Sequence, residues 1–381
     1  MQIIKGKTNI DFIGKRKIAL FISSVINIAI LVGIAIFGFN LGVDFAGGTL
    51  VEIQFKSPVT AELVREGAVK GGLKEPQVQA IGAADENNFI LRMGGVTQLT
   101  AESEKKAEEA IRGLGEVVNL SKNLDTGIIN VRFKAAVDPA LIKDAVIKSG
   151  TGVTEVQKLG EFDYQVKAEG MASAVTGALK TGVPGVDFEV RRTDYVGPQV
   201  GKQLKNKGVM ALLWAMLFIL IYVAFRFDLK FGPGALLAML HDVVMVAGYF
   251  LVTRREFNLT SIAVLLTIIG YSINDTIVIY DRIREEMVKY KGKPLPEIIN
   301  IAVNDTLART ILTSGVTALS LIGLLVFGVG EIFDFAAAML LGIIVGTYSS
   351  VYIASPLVIW LDERAHDKEA AAGGAMKPKT A

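Results

Sequence analysis

The sequence has 381 residues, 51% of them hydrophobic, and its 40 lysines and arginines nearly balance 38 aspartates and glutamates, so it offers no basic surface of the kind nucleic acid requires. It has no cysteine and only two histidines, His241 and His366. Disulfide frameworks, thiol catalysis and metal centres built on those residues are thereby excluded, and no cofactor is expected.

The apolar residues gather in uninterrupted runs of about 17–25, the length that crosses about 30 Å of hydrocarbon in a helix. The first run, Ile18–Phe39, follows the basic residues Lys5, Lys7, Lys15, Arg16 and Lys17. It is too long for a signal peptide, and no small-residue cleavage site follows, so we read residues 1–17 as a cytoplasmic tail and 18–39 as an uncleaved anchor. The segment Leu41-Gly-Val-Asp-Phe-Ala-Gly-Gly-Thr49 lacks the Gly-Lys-Ser/Thr ending of a phosphate loop and opens a strand. It reads as a glycine-rich turn into an outer domain spanning 40–208.

That domain repeats itself. A shift of 78 positions sets Val51–Gly82 on Ile129–Gly160, with Phe55-Lys56 on Phe133-Lys134, Val78-Gln79 on Val156-Gln157, and Gly72 and Gly82 on Gly150 and Gly160. Each copy reads strand, helix, strand, strand, helix, strand, the plan of a ferredoxin-like sandwich. The expectation is two tandem βαββαβ lobes, at about 49–122 and 127–195. Their carboxylates lie among Lys and Arg with no nucleophile–base constellation, so enzyme chemistry is not expected.

Five further spans are predicted within 209–361, at Val209–Phe225, Gly232–Val252, Leu259–Tyr280, Thr310–Val329 and Phe335–Leu361, followed by a tail over 362–381. Lys and Arg mark the cytoplasmic side. The N-terminal cluster and the loop with Arg282, Arg284, Lys289, Lys291 and Lys293 set both termini in the cytoplasm and the outer domain in the periplasm. Arg254 and Arg255 fall on the outer side, against the rule. In the loop 281–309, Leu295, Ile298, Ile299, Ala302 and Leu307 recur at helical spacing, which predicts a short amphipathic helix on the membrane surface.

An ionisable group in a span costs about 2.5–3.5 kcal/mol on insertion scales and needs a partner or a purpose. Asp242 beside His241 lies in the third span, Asp275 within Tyr271-Ser-Ile-Asn-Asp-Thr276 in the fourth, and Arg309 at the start of the fifth. Asp275 and Arg309 fall at matched depth, about 9 and 5 Å below the boundary at 1.5 Å per residue, so an Asp275–Arg309 pair is expected. Burial favours the neutral acid and a nearby guanidinium favours the carboxylate. Movement of the arginine would therefore load or eject a proton, with Asp242 as a further proton-coupling acid. His241, Asn274, Thr276, Thr313 and Thr317 are the expected supporting polar groups, and the stripe Arg309, Thr313, Thr317, Ser320 is expected to face Asp275. His241 and Asp242, neighbours about 100° apart around a helix, are not expected to pair. Gly342, Gly346 and Ser350 form a small-residue packing face on the sixth span.

Taken together, Leu41–Thr49, Val196-Gly-Pro-Gln-Val-Gly201, His241-Asp242, Leu266–Thr276 leading to Asp281-Arg-Ile-Arg284, Gly346-Thr-Tyr-Ser-Ser350 and Ala354-Ser-Pro356 resemble, in order, the motifs of the SecF family of protein translocase subunits. The resemblance implies a six-helix half of the resistance-nodulation-division (RND) type in the inner membrane, pairing with SecD beside the SecYEG channel. It further implies use of the proton motive force to draw a translocating polypeptide outward, with Asp275 and Arg309 matching family residues linked to proton conduction. Membrane lipids are the remaining expected partner. The duplicated outer domain departs from the single smaller lobe usual in the family. Two other readings are an RND-type exporter half for small molecules or lipids, which ordinarily wants two six-helix halves in one chain, and a passive translocon scaffold.

Overall fold

The structure, a computed structural model, describes residues 8–73, 76–81, 87–93, 101–123, 127–151, 153–168 and 171–374. Helix α1 (Arg16–Phe37) and the single turn α2 (Val43–Ala46) precede β1 (Gly48–Phe55), α3 (Ala61–Lys70), β2 (Gln77–Ile81) and β3 (Asn88–Met93). Then come α4 (Ala101–Arg112), β4 (Val117–Asn123), β5 (Ile128–Phe133), α5 (Pro139–Lys148), β6 (Val153–Lys158), β7 (Asp163–Ala168), α6 (Met171–Gly182) and β8 (Phe188–Val196). The chain finishes with α7 (Pro198–Arg226), α8 (Gly232–Thr253), α9 (Leu259–Lys289), α10 (Leu295–Phe327), α11 (Glu331–Ser349), a π-helical segment Ser350–Ala354, and α12 (Ser355–Gly374). It divides into two units: a helical unit, Met1–Asn40 with Lys207–Ala381, and an α+β unit, Leu41–Asn206.

Among the described residues of the helical unit, six helices are long and apolar enough to cross a membrane. Their boundaries show where polarity misleads. The predicted surface helix is not a separate element: α10 runs unbroken from Leu295 to Phe327, and the loop expected over 281–309 shrinks to the few residues between α9 and α10. No Gly or Pro interrupts the sequence between Pro296 and Gly315, so the helix has no reason to stop. Ile299, Ala302 and Val303 face the core shared with Ile13, Ala354 and Val358.

The two arginines that broke the charge rule have local partners. Arg254 donates to the Gly38 carbonyl that ends α1, at 2.8 Å, and Arg255 pairs with Asp334 while covering the Phe333 ring. Asn40 donates to the Arg254 carbonyl at 2.9 Å, and Phe39 stacks on Phe257 at 4.5 Å.

In the α+β unit the duplication is visible in three dimensions. Gly72 and Gly150 both turn the chain at positive φ, 97° and 90°, where a side chain would strain the backbone. Phe55 meets Phe89 edge-on at 5.7 Å, and its counterpart Phe133 meets Tyr164 in the same way at 5.8 Å. Gly82 lies outside the described residues.

The tandem assignment of the lobes, however, is corrected. The two four-stranded antiparallel sheets run β2-β3-β1-β8 and β4-β5-β7-β6. The copies have exchanged their last helix and strand. Helix α6, through Ala174, Val175, Ala178 and Leu179, packs on the sheet of β1 and β3, whereas Ala107 and Ile111 of α4 pack with β5 and β7. Two local constraints favour the exchange. The connection from β4 to β5, residues 124–127, is short enough for a hairpin, and Asn123 pairs with Ile128 across it. At the other end Gly48 pairs with Val196, so the unit's first and last strands lie side by side. That pairing also brings the glycine-rich turn onto the start of α7. A methyl group at Gly201 would sit 3.1 Å from Gly47 N and from the Phe45 carbonyl.

Candidate functional site

Among the described residues, the acids Asp242 and Asp275 are buried in the middle of their helices, and Glu286 is buried near the end of α9. Asp242 on α8 is fully buried, and its carboxylate collects three bonds. His241 Nδ1 meets Oδ1 at 2.9 Å, while Ser272 of α9 and Ser349 of α11 both donate to Oδ2, the latter at 2.8 Å. The expectation that His241 and Asp242 could not pair is therefore overturned. Their Cα–Cβ bonds diverge, but Nδ1 is the ring nitrogen nearest the backbone, and a short carboxylate beside it reaches that nitrogen. His241 Nε2, also buried, has no hydrogen-bond partner among the described residues, and the ring lies 6.1 Å from that of Tyr348. The Tyr348 hydroxyl lies 2.9 Å from Ser23 Oγ of α1.

Asp275 on α9 is 3% exposed. Thr347 of α11 donates to its Oδ2 at 3.4 Å, and Thr347 in turn lies 3.0 Å from Ser314 Oγ of α10. A hydroxyl relay thus joins three helices at the acid. Arg309 is within electrostatic reach of Asp275, yet among the described residues no salt bridge joins them, which corrects the expected direct pair. The reason is helical phase. Ser314, five residues beyond Arg309, occupies the side of α10 that meets the acid, and Arg309 lies on an exposed side.

The remaining expected residues divide. Thr313 and Thr317 do not face Asp275: the Tyr271 hydroxyl donates to the Thr313 carbonyl at 3.0 Å and to Thr317 Oγ1 at 3.1 Å. Thr313, Thr317 and Ser320 bond back to carbonyls of their own helix, as hydroxyls in apolar helices do. Thr276 meets Ser350 Oγ at 2.8 Å in the buried interior. Asn274 sits on the exposed face of α9 and supports neither acid. At Gly346 a methyl would lie 2.8 Å from Ser272 Cβ, and at Gly342 one would meet Ile268, so α11 approaches α9 closely at both positions.

Ser272, Ser314, Thr347 and Ser349 were not singled out from the sequence. The signal was present, since each is a hydroxyl in an otherwise apolar span, and Ser349 lies seven residues, two turns, beyond Gly342 on the same face. Directly after it the helix widens into the π-helical segment Ser350–Ala354, with Ser355 Oγ bonded to the Ser350 carbonyl at 2.8 Å. Such segments recur at functional sites.

Among the described residues, six apolar spans with buried carboxylates and an α+β unit inserted after the first span define a multi-pass membrane protein. Residues 176–364 match the family described as protein export membrane protein SecD/SecF, C-terminal, and residues 32–59 match the SecD/SecF GG motif. The chain is 39% identical over 371 residues to the protein translocase subunit SecF of Magnetococcus marinus, covering 97% of this chain and 98% of that one. It is 35% identical to SecF of Koribacter versatilis, covering 98% and 97%. It belongs to the SecF family of protein translocase subunits. Among solved structures it is similar to SecDF, a translocon-associated membrane protein from Thermus thermophilus, with a TM-score of 0.64 and 29% identity. That match covers 95% of this chain and 40% of the SecDF chain, so the chain spans less than half of that protein.

Proposed function

We propose that the chain works with SecD, beside the SecYEG channel, as a subunit that uses the proton motive force to assist export of polypeptides across the inner membrane. In this reading both termini are cytoplasmic and the α+β unit is periplasmic. The observation that carries it is Asp275: a carboxyl buried among spans, linked through Thr347 and Ser314 to two neighbouring helices, with an arginine close by but not locked to it. A locked pair would hold its charge, whereas an acid held by hydroxyls alone can exchange a proton. The neutral acid no longer draws Arg309, so α9 and α10 settle differently in the two protonation states. One charge moved through 100 mV supplies about 2.3 kcal/mol, enough to shift a two-state equilibrium about fifty-fold. Asp242, satisfied by three partners, holds α8, α9 and α11 in place while that exchange occurs.

The test is gradient-driven export in vesicles carrying Asp275→Asn together with SecD. The variant is expected to insert, bind its partner and lose the gradient-dependent share of export. Full gradient dependence in that variant defeats the proposal, and the chain would then act as a scaffold.

A further inference from the structure

The segment ahead of α1 is gripped by two side chains of α10. Asn304 pairs with both backbone groups of Ile10, its Oδ1 accepting from the amide at 2.9 Å and its Nδ2 donating to the carbonyl at 2.9 Å. Asn300, one turn earlier, accepts from the amides of Phe12 and Ile13 at 2.9 and 3.3 Å and donates to the Ile10 carbonyl at 3.1 Å. Ile13, 3% exposed, then sinks into the core that holds Ile299 and Ala302. These contacts read backbone and geometry rather than charge.

The next residue fastens α10 on its other side. Asp305 accepts from Nε and Nη2 of Arg282 on α9, and Arg282 also pairs with the buried Glu286 at 2.7 Å. Arg309 lies one turn beyond Asp305, about 6 Å along the axis, and Asp275 lies two turns before Arg282, about 10 Å. Because α10 is unbroken, any slide at Asn304 carries Arg309 with it.

We infer that Asn300 and Asn304 are positioning residues. By gripping Ile10–Ile13 they fix the register of α10 along α9, and with it the separation of Arg309 from Asp275. Their importance for export rests on the proton-coupling reading above; their control of register does not.

Because the sequence has no cysteine, probes can be placed cleanly. In the full chain with SecD in vesicles, spin labels at Val288 of α9 and Val316 of α10, both exposed, report the register. The wild type is expected to give one narrow distance distribution. Asn300→Ala with Asn304→Ala is expected to broaden or shift it by about 1.5 Å or more, one residue of helical rise. Each single variant, keeping half of the grip, serves if the double variant is not recovered in membranes. In parallel, gradient-driven export should fall several-fold in the double variant. It should return when a disulfide between Ile10→Cys and Asn304→Cys is formed in an Asn300→Ala chain. An unchanged distance distribution overturns the inference. A changed distribution with unimpaired export upholds the register claim and counts instead against the proton-coupling reading.

Discussion

Ser349 donates to Asp242 at 2.8 Å and so ties α11 to α8 through the most deeply buried acid among the described residues. Asp242→Ala would strand His241 Nδ1 and two serine hydroxyls in the interior. We expect a loss of about 2–4 kcal/mol in the helical unit, seen as a clear fall in the thermal midpoint in mild detergent. Asp242→Asn, which can still accept from one serine, should lose less. Equal stability of Asp242→Ala and wild type would contradict the knot.

The glycines of the spans separate into two groups. Gly346→Ala is expected to cost about 1–3 kcal/mol by pushing α11 off α9, because Ser272 Cβ, fixed to its backbone, cannot move aside. Gly342→Ala should cost less, since a rotamer change in Ile268 can make room. Gly270→Ala, with nothing within 4 Å, should be neutral or slightly stabilising. Thermal unfolding of the three variants checks the order.

The exchanged lobes predict an asymmetry between two deletions in the separately expressed unit Leu41–Asn206. Joining residue 93 to 171 through a short glycine-rich linker leaves β1, α3, β2, β3, α6 and β8, a complete sheet with both covering helices. That protein should unfold cooperatively. Deleting 127–195 removes β8 and α6 from the first sheet and leaves α4 and β4 without theirs. It should give no cooperative transition in circular dichroism.

In the α+β unit, hydrogen bonds from Arg132 at 2.6 and 2.8 Å hold the Asp163 carboxyl below the ordinary range. A lowered folded-state pKa means that the contribution is present above the unfolded value, about 3.9, and is lost as pH falls through the folded one. Carboxyl NMR titration should therefore find Asp163 below its usual range in the wild type. Arg132→Ala should return it upward. Both side chains are largely solvated, so stability at neutral pH should barely change.

What could be read from sequence follows from the strength of each local signal. Spans declare themselves through uninterrupted apolar runs, and the duplication through Phe55 and Phe133, Gly72 and Gly150, because those residues are fixed by packing and backbone conformation. Lobe membership was missed because strand order alone does not say which sheet a strand joins; the short 124–127 connection does. Asn304 and Asp305 interrupt the apolar pattern ahead of the predicted fifth span, although both serve tertiary contacts within the unbroken α10. Asp275, Asp242 and Arg309 stood out by the cost of charge in a span. Their partners did not, since a serine or threonine in a membrane helix costs little and only the fold shows which one faces an acid.

The central claim is that Asp275 gains and loses a proton. Infrared difference spectroscopy of the full chain in lipid, between acidic and alkaline buffer, reads this at the carboxyl C=O stretch. We predict a protonated-carboxyl band that disappears in Asp275→Asn and persists in Asp242→Asn. A band unchanged by Asp275→Asn would contradict the account.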